Sequence, residues 1–424
     1  MYRETARQLA DFIQKCPSPF HAVKAMTDLL TENGFAELKE NEKWNVAPGG
    51  SYFVTRNGSS LIAFTVPARE MKGMRIAASH SDSPTYKIKE NPELDVEGHY
   101  VKLNVEPYGG MLCAPWFDRP LSVAGRVIIK DAATGEFRSL PVDVNRDLVL
   151  IPNLAIHMNR EINNGYKYNA QKDMLPLYGC SDAKGSFFKQ IAEAAGISEE
   201  EILGHDLFLY NRQPASIWGA SGEFLSCSRL DDLQCAFASL QGLLAGKKED
   251  YMAVHCVLDN EEVGSGTKQG AASTFLYDTL TRVHECLGYT REDYRIHLAD
   301  SLMLSADNAH AVHPNHTDKT DASNRPYLNG GIVIKFNANQ KYCTDGVSAA
   351  MFRDICRQAD VPLQTFVNRS DMAGGSTLGN ISNTRVALHT VDIGLPQLAM
   401  HSPYETAGVK DTVYMIRAMQ EFFC

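Results

Sequence analysis

No stretch of the 424-residue chain approaches the roughly 20 consecutive apolar residues of a membrane-spanning helix, so no membrane partner is expected. The opening residues, Met1 to Arg7, lead into a helical pattern and lack the apolar core of a signal peptide. Lysine and arginine are not gathered in any segment and the formal net charge is -10, which argues against a phosphate-binding face and against nucleic acid as a partner. The ten cysteines stand singly with no CxxC pair, which excludes a thiolate zinc knuckle and a thioredoxin-type site. Several, such as Cys256 and Cys356, lie within apolar patterns and read as buried free thiols in a reducing, cytoplasmic protein. Repeats and low-complexity segments are also missing. What remains is an ordinary globular composition, 44% apolar and 22% charged, in a chain long enough for two or three domains.

Two helices are expected over residues 1–35. Leu9, Phe12 and Ile13 form the first apolar stripe; Ser18 caps the second helix, with Pro19 in its first turn, and Gly34 stops it. Strands at 52–55 and 61–65 flank Asn57-Gly58, a hairpin dipeptide. A third strand at 74–79 runs into His80-Ser81-Asp82-Ser83-Pro84. Helical periodicity then becomes rare, and short runs such as 127–129 and 148–151 alternate with turn residues. This marks an inserted, mostly β domain over 89–227. The α/β texture resumes with a helix near Arg229-Leu230-Asp231-Asp232 that closes at Gly246. It continues with a strand at 252–258, a helix near 273–286, a strand at 302–306, a helix after Ser348, a glycine-rich turn at 374–377, a strand at 386–390 and a terminal helix. Residues 1–88 and 228–424 thus make one α/β domain interrupted by the insertion.

Polar clusters stand where these strands end or helices begin: His80 with Asp82, Asp231, Glu261 with Glu262, Asp307, and beyond the last strand His401. Each has a plain alternative. Asp231 could cap the following helix, Asp307 a helix beginning near Ala309, and a lone histidine is more often a hydrogen-bonded core residue. Their collective placement at one sheet edge, where ligands gather in open α/β sheets, favours a site. A mixed histidine and carboxylate set suits hard or borderline divalent ions. His80, Asp231, Glu262, Asp307 and His401 would serve two ions if one carboxylate bridges them. Asp82, two residues beyond His80, could orient its imidazole, and Glu261 is left as general base.

With these residues in place, the chain resembles the aspartyl aminopeptidase family of cocatalytic metallo-aminopeptidases over almost its whole length. The motifs include His80-Ser81-Asp82-Ser83-Pro84, Tyr108-Gly109-Gly110, Trp116-Phe117-Asp118-Arg119, Leu154-Ala155-Ile156-His157, Arg229-Leu230-Asp231, Asp259-Asn260-Glu261-Glu262-Val263-Gly264-Ser265, Ser305-Ala306-Asp307, His310-Ala311-Val312-His313-Pro314 and Met400-His401-Ser402. The resemblance implies a three-layer α/β/α catalytic domain of metallo-exopeptidase type with an inserted β dimerisation domain. It implies that His80, Asp231 and Asp307 hold one ion, and Asp231, Glu262 and His401 the other, with Asp231 as the bridge and Glu261 as the base. Two zinc-like ions per subunit are implied, with manganese or cobalt able to substitute, together with dimers that assemble into a tetrahedral dodecamer. His157, which the residues alone would pass as a buried core histidine, would reach into the neighbouring subunit's active site. Lys335 and Tyr342 match positions lining the pocket of acid-preferring members. Lys335 could pair with an acidic substrate side chain; its plain reading is a solvated strand residue.

Two departures from the family pattern stand out: Asp232 replaces the usual Asn after the bridging aspartate, and Asp371-Met372-Ala373 lacks the usual proline. The expected activity is removal of N-terminal residues, chiefly Asp or Glu, from peptides with a free N-terminus. The alternatives are an aminopeptidase for neutral or apolar residues, a dimetal amidohydrolase of N-acyl amino acids, and a non-catalytic self-assembling scaffold.

Overall fold

Strand residues of the main sheet alternate between two apolar surfaces, and that alternation sets the architecture. The computed structural model describes residues 1–246 and 250–424. Among the described residues, nine strands form one sheet in the order Ala36–Leu38, Ser51–Arg56, Ser60–Thr65, Tyr251–Leu258, Gly73–His80, Leu302–Ala306, His389–Gly394, Ile332–Phe336 and Leu363–Val367. The four strands from Tyr251–Leu258 to His389–Gly394 are mutually parallel. Buried on both sides, they read as nearly continuous apolar runs. Ala77, Val257, Leu304 and Ile393 face one core, shared with the helices Tyr2–Gln14, Pro19–Glu32, Leu230–Ala245, Gly346–Gln358 and Asp411–Phe422. Ile76, Ala78, Val254, Cys256 and Met303 face the other, against Phe275–Cys286. The fold is a three-layer α/β/α sandwich.

The chain divides into two compact units. The larger comprises Met1–Asp82, Ala215–Met400 and Glu405–Cys424; the smaller comprises Ser83–Pro214 and His401–Tyr404. The smaller unit holds a six-stranded antiparallel sheet packed around residues such as Tyr86, Leu103, Trp116, Val123 and Phe187. Its limits differ from the expected 89–227. The strand Thr85–Val96 begins before residue 89. At the far end, Ser216–Trp218 and Phe224–Cys227 pair, directly or in turn, with Glu405–Gly408 in a five-stranded sheet of the larger unit.

Other differences have local causes. Ser18 occupies the N-cap of Pro19–Glu32, but its hydroxyl bonds the His21 ring at 2.8 Å instead of a backbone amide. Residues 148–151 make only isolated bridges, to Leu121, Leu177 and Phe117. No helix starts near Ala309, which instead pairs with Pro396. The helix Arg291–Ala299 lies outside the periodicity read above; its signal is the Thr290–Asp293 capping box. The last parallel strand is His389–Gly394, not 386–390, because the buried acid Asp392 breaks its apolar run while Val386 packs into the other core. The hairpin stands as read, with Asn57 and Gly58 at φ 60° and 65°.

Candidate metal centre

Three neighbouring parallel strands end together: Gly73–His80 at His80, Tyr251–Leu258 just before Asp259, and Leu302–Ala306 just before Asp307. The carboxyl ends of such strands are where an open α/β sheet gathers ligands. After Leu258 the chain turns sharply. Asn260 takes φ 64° and Gly264 φ 94°, bracketing the short helical turn Glu261–Val263. Asparagine tolerates that left-handed conformation, and its Oδ1 here accepts from Thr267 Oγ1 and Gln269 Nε2, both at 2.8 Å. The two glutamates are thereby fixed at the sheet edge.

Asp82 pins that turn to His80. It is fully buried, and its Oδ1 and Oδ2 accept the amides of Glu261 and Glu262, each at 3.1 Å. The His80 Nδ1 lies 3.0 Å from Asp82 O and 3.3 Å from its Oδ1. The other ring nitrogen, Nε2, faces Asp231 Oδ1 at 3.5 Å. Asp231 sits at the start of Leu230–Ala245 in a non-helical conformation (φ -83°, ψ 105°), with its amide donating to Glu405 Oε2 at 3.0 Å.

The donor atoms fall into two overlapping groups. Ligand atoms of His80, Asp231 and Glu262 lie within 4.8 Å of one another, as do those of Asp231, Asp232 and Asp307. Asp231 belongs to both. Asp307 thus groups with Asp231 and Asp232, whereas the resemblance had set it with His80 and Asp231. Asp232, fully buried with Oδ2 accepting from His80 N at 3.2 Å, joins as a carboxylate that the sequence marked only as a departure from Asn.

Two further residues frame the Asp307 side. Lys335 is 3% exposed, so it is not a solvated strand residue. Its Nζ donates to Asn308 O at 3.0 Å, lies 3.7 Å from Asp307 Oδ2 and 5.4 Å from the Tyr342 ring centre. Tyr342 is buried against Ala309, Val333 and Phe366. The remaining two expected site residues belong to the smaller unit. His401 there has Nδ1 2.7 Å from Gly110 O, so this ring nitrogen donates to the carbonyl. His157 is exposed, not a core residue, on a stretch that is exposed from Pro152 to Met158.

Electrostatics show what this set of residues requires. Burial pushes Glu261 up to about 7 and Asp307 up to about 6, and burial raises Asp232 well above the ordinary carboxylate range. Burial opposes charge on His80, but its bonds to Asp231 and Asp82 outweigh that and hold the imidazole well above its ordinary value. Without cations, so many buried carboxylates must hold protons; divalent ions replace those protons and supply the missing positive charge. The donor set is oxygen-rich with one imidazole and no thiolate ligand, the chemistry of a hard or borderline divalent ion. The residues fit a metal centre.

Comparison with known proteins agrees. A model of the family described as aminopeptidase I zinc metalloprotease (M18) matches residues 12–423. A probable M18 family aminopeptidase 2 from Clostridium acetobutylicum is 47% identical over 99% of this chain and 98% of its own. In the solved Ape4 and Nbr1 complex, one chain is 34% identical with a TM-score of 0.95, covering 100% of this chain and 86% of that one. The S. cerevisiae mApe1 dodecamer gives 29% identity and a TM-score of 0.87, covering 100% and 97%. With a buried histidine and carboxylate set gathered at its strand ends and similarity along its whole length, the chain belongs to the M18 family and is a metallo-aminopeptidase.

Proposed function

We propose that the chain removes N-terminal Asp or Glu from peptides with a free N-terminus by two-metal hydrolysis, with Glu261 as general base. The observation that carries this reading is the pair of donor groups sharing Asp231, with Glu261 next to the ligand-group member Glu262. His80, Asp231, Glu262, Asp307 and His401 would hold two divalent ions, zinc by family description with manganese or cobalt as substitutes. Asp231 would be shared, and His401 is carried over from the resemblance. When bound, such ions polarise the scissile carbonyl and acidify a water. Glu261 takes a proton from the attacking water and returns it to the leaving amine. Asp82 acts through others, holding both glutamate amides and the His80 ring. The buried Lys335 beside Tyr342 supports an acidic preference, because a fixed cation would meet a carboxylate side chain there.

The solved mApe1 dodecamer supports assembly of this chain into a homo-oligomer. Dimers built through the inserted unit, with His157 reaching a neighbour, are what the family resemblance adds. All ten cysteines are free thiols, which supports a reducing, cytoplasmic setting. Among the described residues, no helix is long and apolar enough to cross a membrane. The test is Glu261→Gln, assayed on a panel of aminoacyl fluorogenic substrates with added zinc, manganese and cobalt. Metal content should match wild type while kcat falls about 10²- to 10⁴-fold. Near-normal turnover would remove Glu261 from the base role. Cleavage of an N-acetylated peptide in preference to its free counterpart would point to an amidohydrolase instead.

A further inference from the structure

The strand His389–Gly394 carries an acid in its buried interior. Asp392 is fully buried and pairs in register with Ser305, two residues before Asp307. The next residue, Ile393, accepts a hydrogen bond from Asp307 N at 3.0 Å. An acid in a buried strand is costly unless both oxygens find donors. Here both do: Thr377 Oγ1 donates to Oδ1 at 2.5 Å, and Cys343 N donates to Oδ2 at 2.5 Å. The Asp392 amide in turn donates to Thr344 Oγ1 at 2.9 Å. Thr377 follows Gly374-Gly375-Ser376, which form no regular turn, and occupies the N-cap of the helix Leu378–Ser382, and Cys343 follows Tyr342 directly. The segment after Thr377 is packed onto the same point. A Cβ on Gly379 would lie 2.7 Å from Ser305 Oγ and 3.0 Å from Asp392 Oδ1.

We propose that Asp392 is a positioning residue for substrate: its two oxygens clamp the Tyr342–Cys343 segment and the Gly374–Thr377 segment to the strand beside Asp307, fixing the pocket wall for the peptide's N-terminal side chain. This rests on the aminopeptidase reading of the site. A carboxylate gives each partner its own acceptor, one oxygen for the Thr377 hydroxyl and one for the Cys343 amide, on two separate segments.

The variants are Asp392→Asn, of the same shape, and Thr377→Val, which removes one tether, with Thr377→Ser as the conservative control. In the metal-loaded enzyme, Asp392→Asn and Thr377→Val should raise KM about tenfold or more with kcat changed far less, while metal content stays at the wild-type value. Thr377→Ser should recover most of the loss seen with Thr377→Val. Hydrogen exchange should quicken at 342–344 in Asp392→Asn and at 374–377 in both Asp392→Asn and Thr377→Val. Unchanged KM with unchanged exchange overturns the clamp; so does lost metal with unchanged KM. Should wild type cleave no aminoacyl substrate, the aminopeptidase reading fails separately, and the exchange measurement alone decides whether Asp392 clamps the two segments.

Discussion

Replacing Asp82 by Asn tests how far the metal centre depends on a residue that binds no metal. The substitution keeps the shape of a fully buried side chain. It leaves one acceptor oxygen where two now take the Glu261 and Glu262 amides at 3.1 Å each. The new NH2 group faces a backbone N–H, so a charge-assisted bond is lost and a buried donor is stranded. Those effects overlap and together should lower the unfolding free energy of the metal-free protein by about 2–4 kcal/mol. The same change frees one side of the glutamate turn and removes the carboxylate 3.3 Å from His80 Nδ1. Loss of such an outer partner lowers metal affinity about 10- to 100-fold, or about 1.4–2.7 kcal/mol. Guanidinium unfolding of the metal-free protein measures the first term, and competition titration against a zinc-chelating dye measures the second. Wild-type affinity alongside the expected loss of stability would reduce Asp82 to a fold-supporting residue. Wild-type values of both would mean that these contacts contribute nothing.

Lys335→Ala should cut kcat/KM for Asp- and Glu-peptides at least about tenfold more than for Leu-peptides. An equal loss on all substrates would assign Lys335 to Asp307 alone, which it faces at 3.7 Å. The pH dependence of stability has a component in His255, fully buried on Tyr251–Leu258, whose imidazole burial pushes down to about 3. The unfolded chain binds that proton below about pH 6.5, so this contribution is intact above 6.5 and is lost as pH falls toward 3, by about 2 kcal/mol between pH 7 and pH 5. Unfolding midpoints at those two pH values should therefore differ less in His255→Gln than in wild type; an identical difference would refute the assignment.

The sheet was legible because its strands are apolar on both faces and end in charged residues, so His80, Glu261, Glu262 and Asp307 announced themselves at strand ends. The strand His389–Gly394 was hidden by Asp392, since an acid in a buried strand looks like a break until its donors are known. Asp82 carried a signal only through its spacing from His80. Its bonds to two amides some 180 residues later leave no trace in any periodicity. Lys335 is typical of a half-solvated strand by residue type, and only the fold places it over Asp307. His157 reads as a core residue among Leu154 and Ile156, yet all three are exposed.

The strand order carries a consequence for how the enzyme is made. Gly73–His80 lies between Tyr251–Leu258 and Leu302–Ala306, two strands that leave the ribosome long after it. Asp231, Glu262 and Asp307 likewise come from separate, later elements. His80 is thus translated first among these donors, and the carboxylates grouped with it, Asp231 and Glu262, follow some 150 and 180 residues later. Such distant pairing is slow to close. The donor groups therefore form only once elements from residue 80 to residue 307 have come together, so the site is a late product of folding and not a property of any one segment.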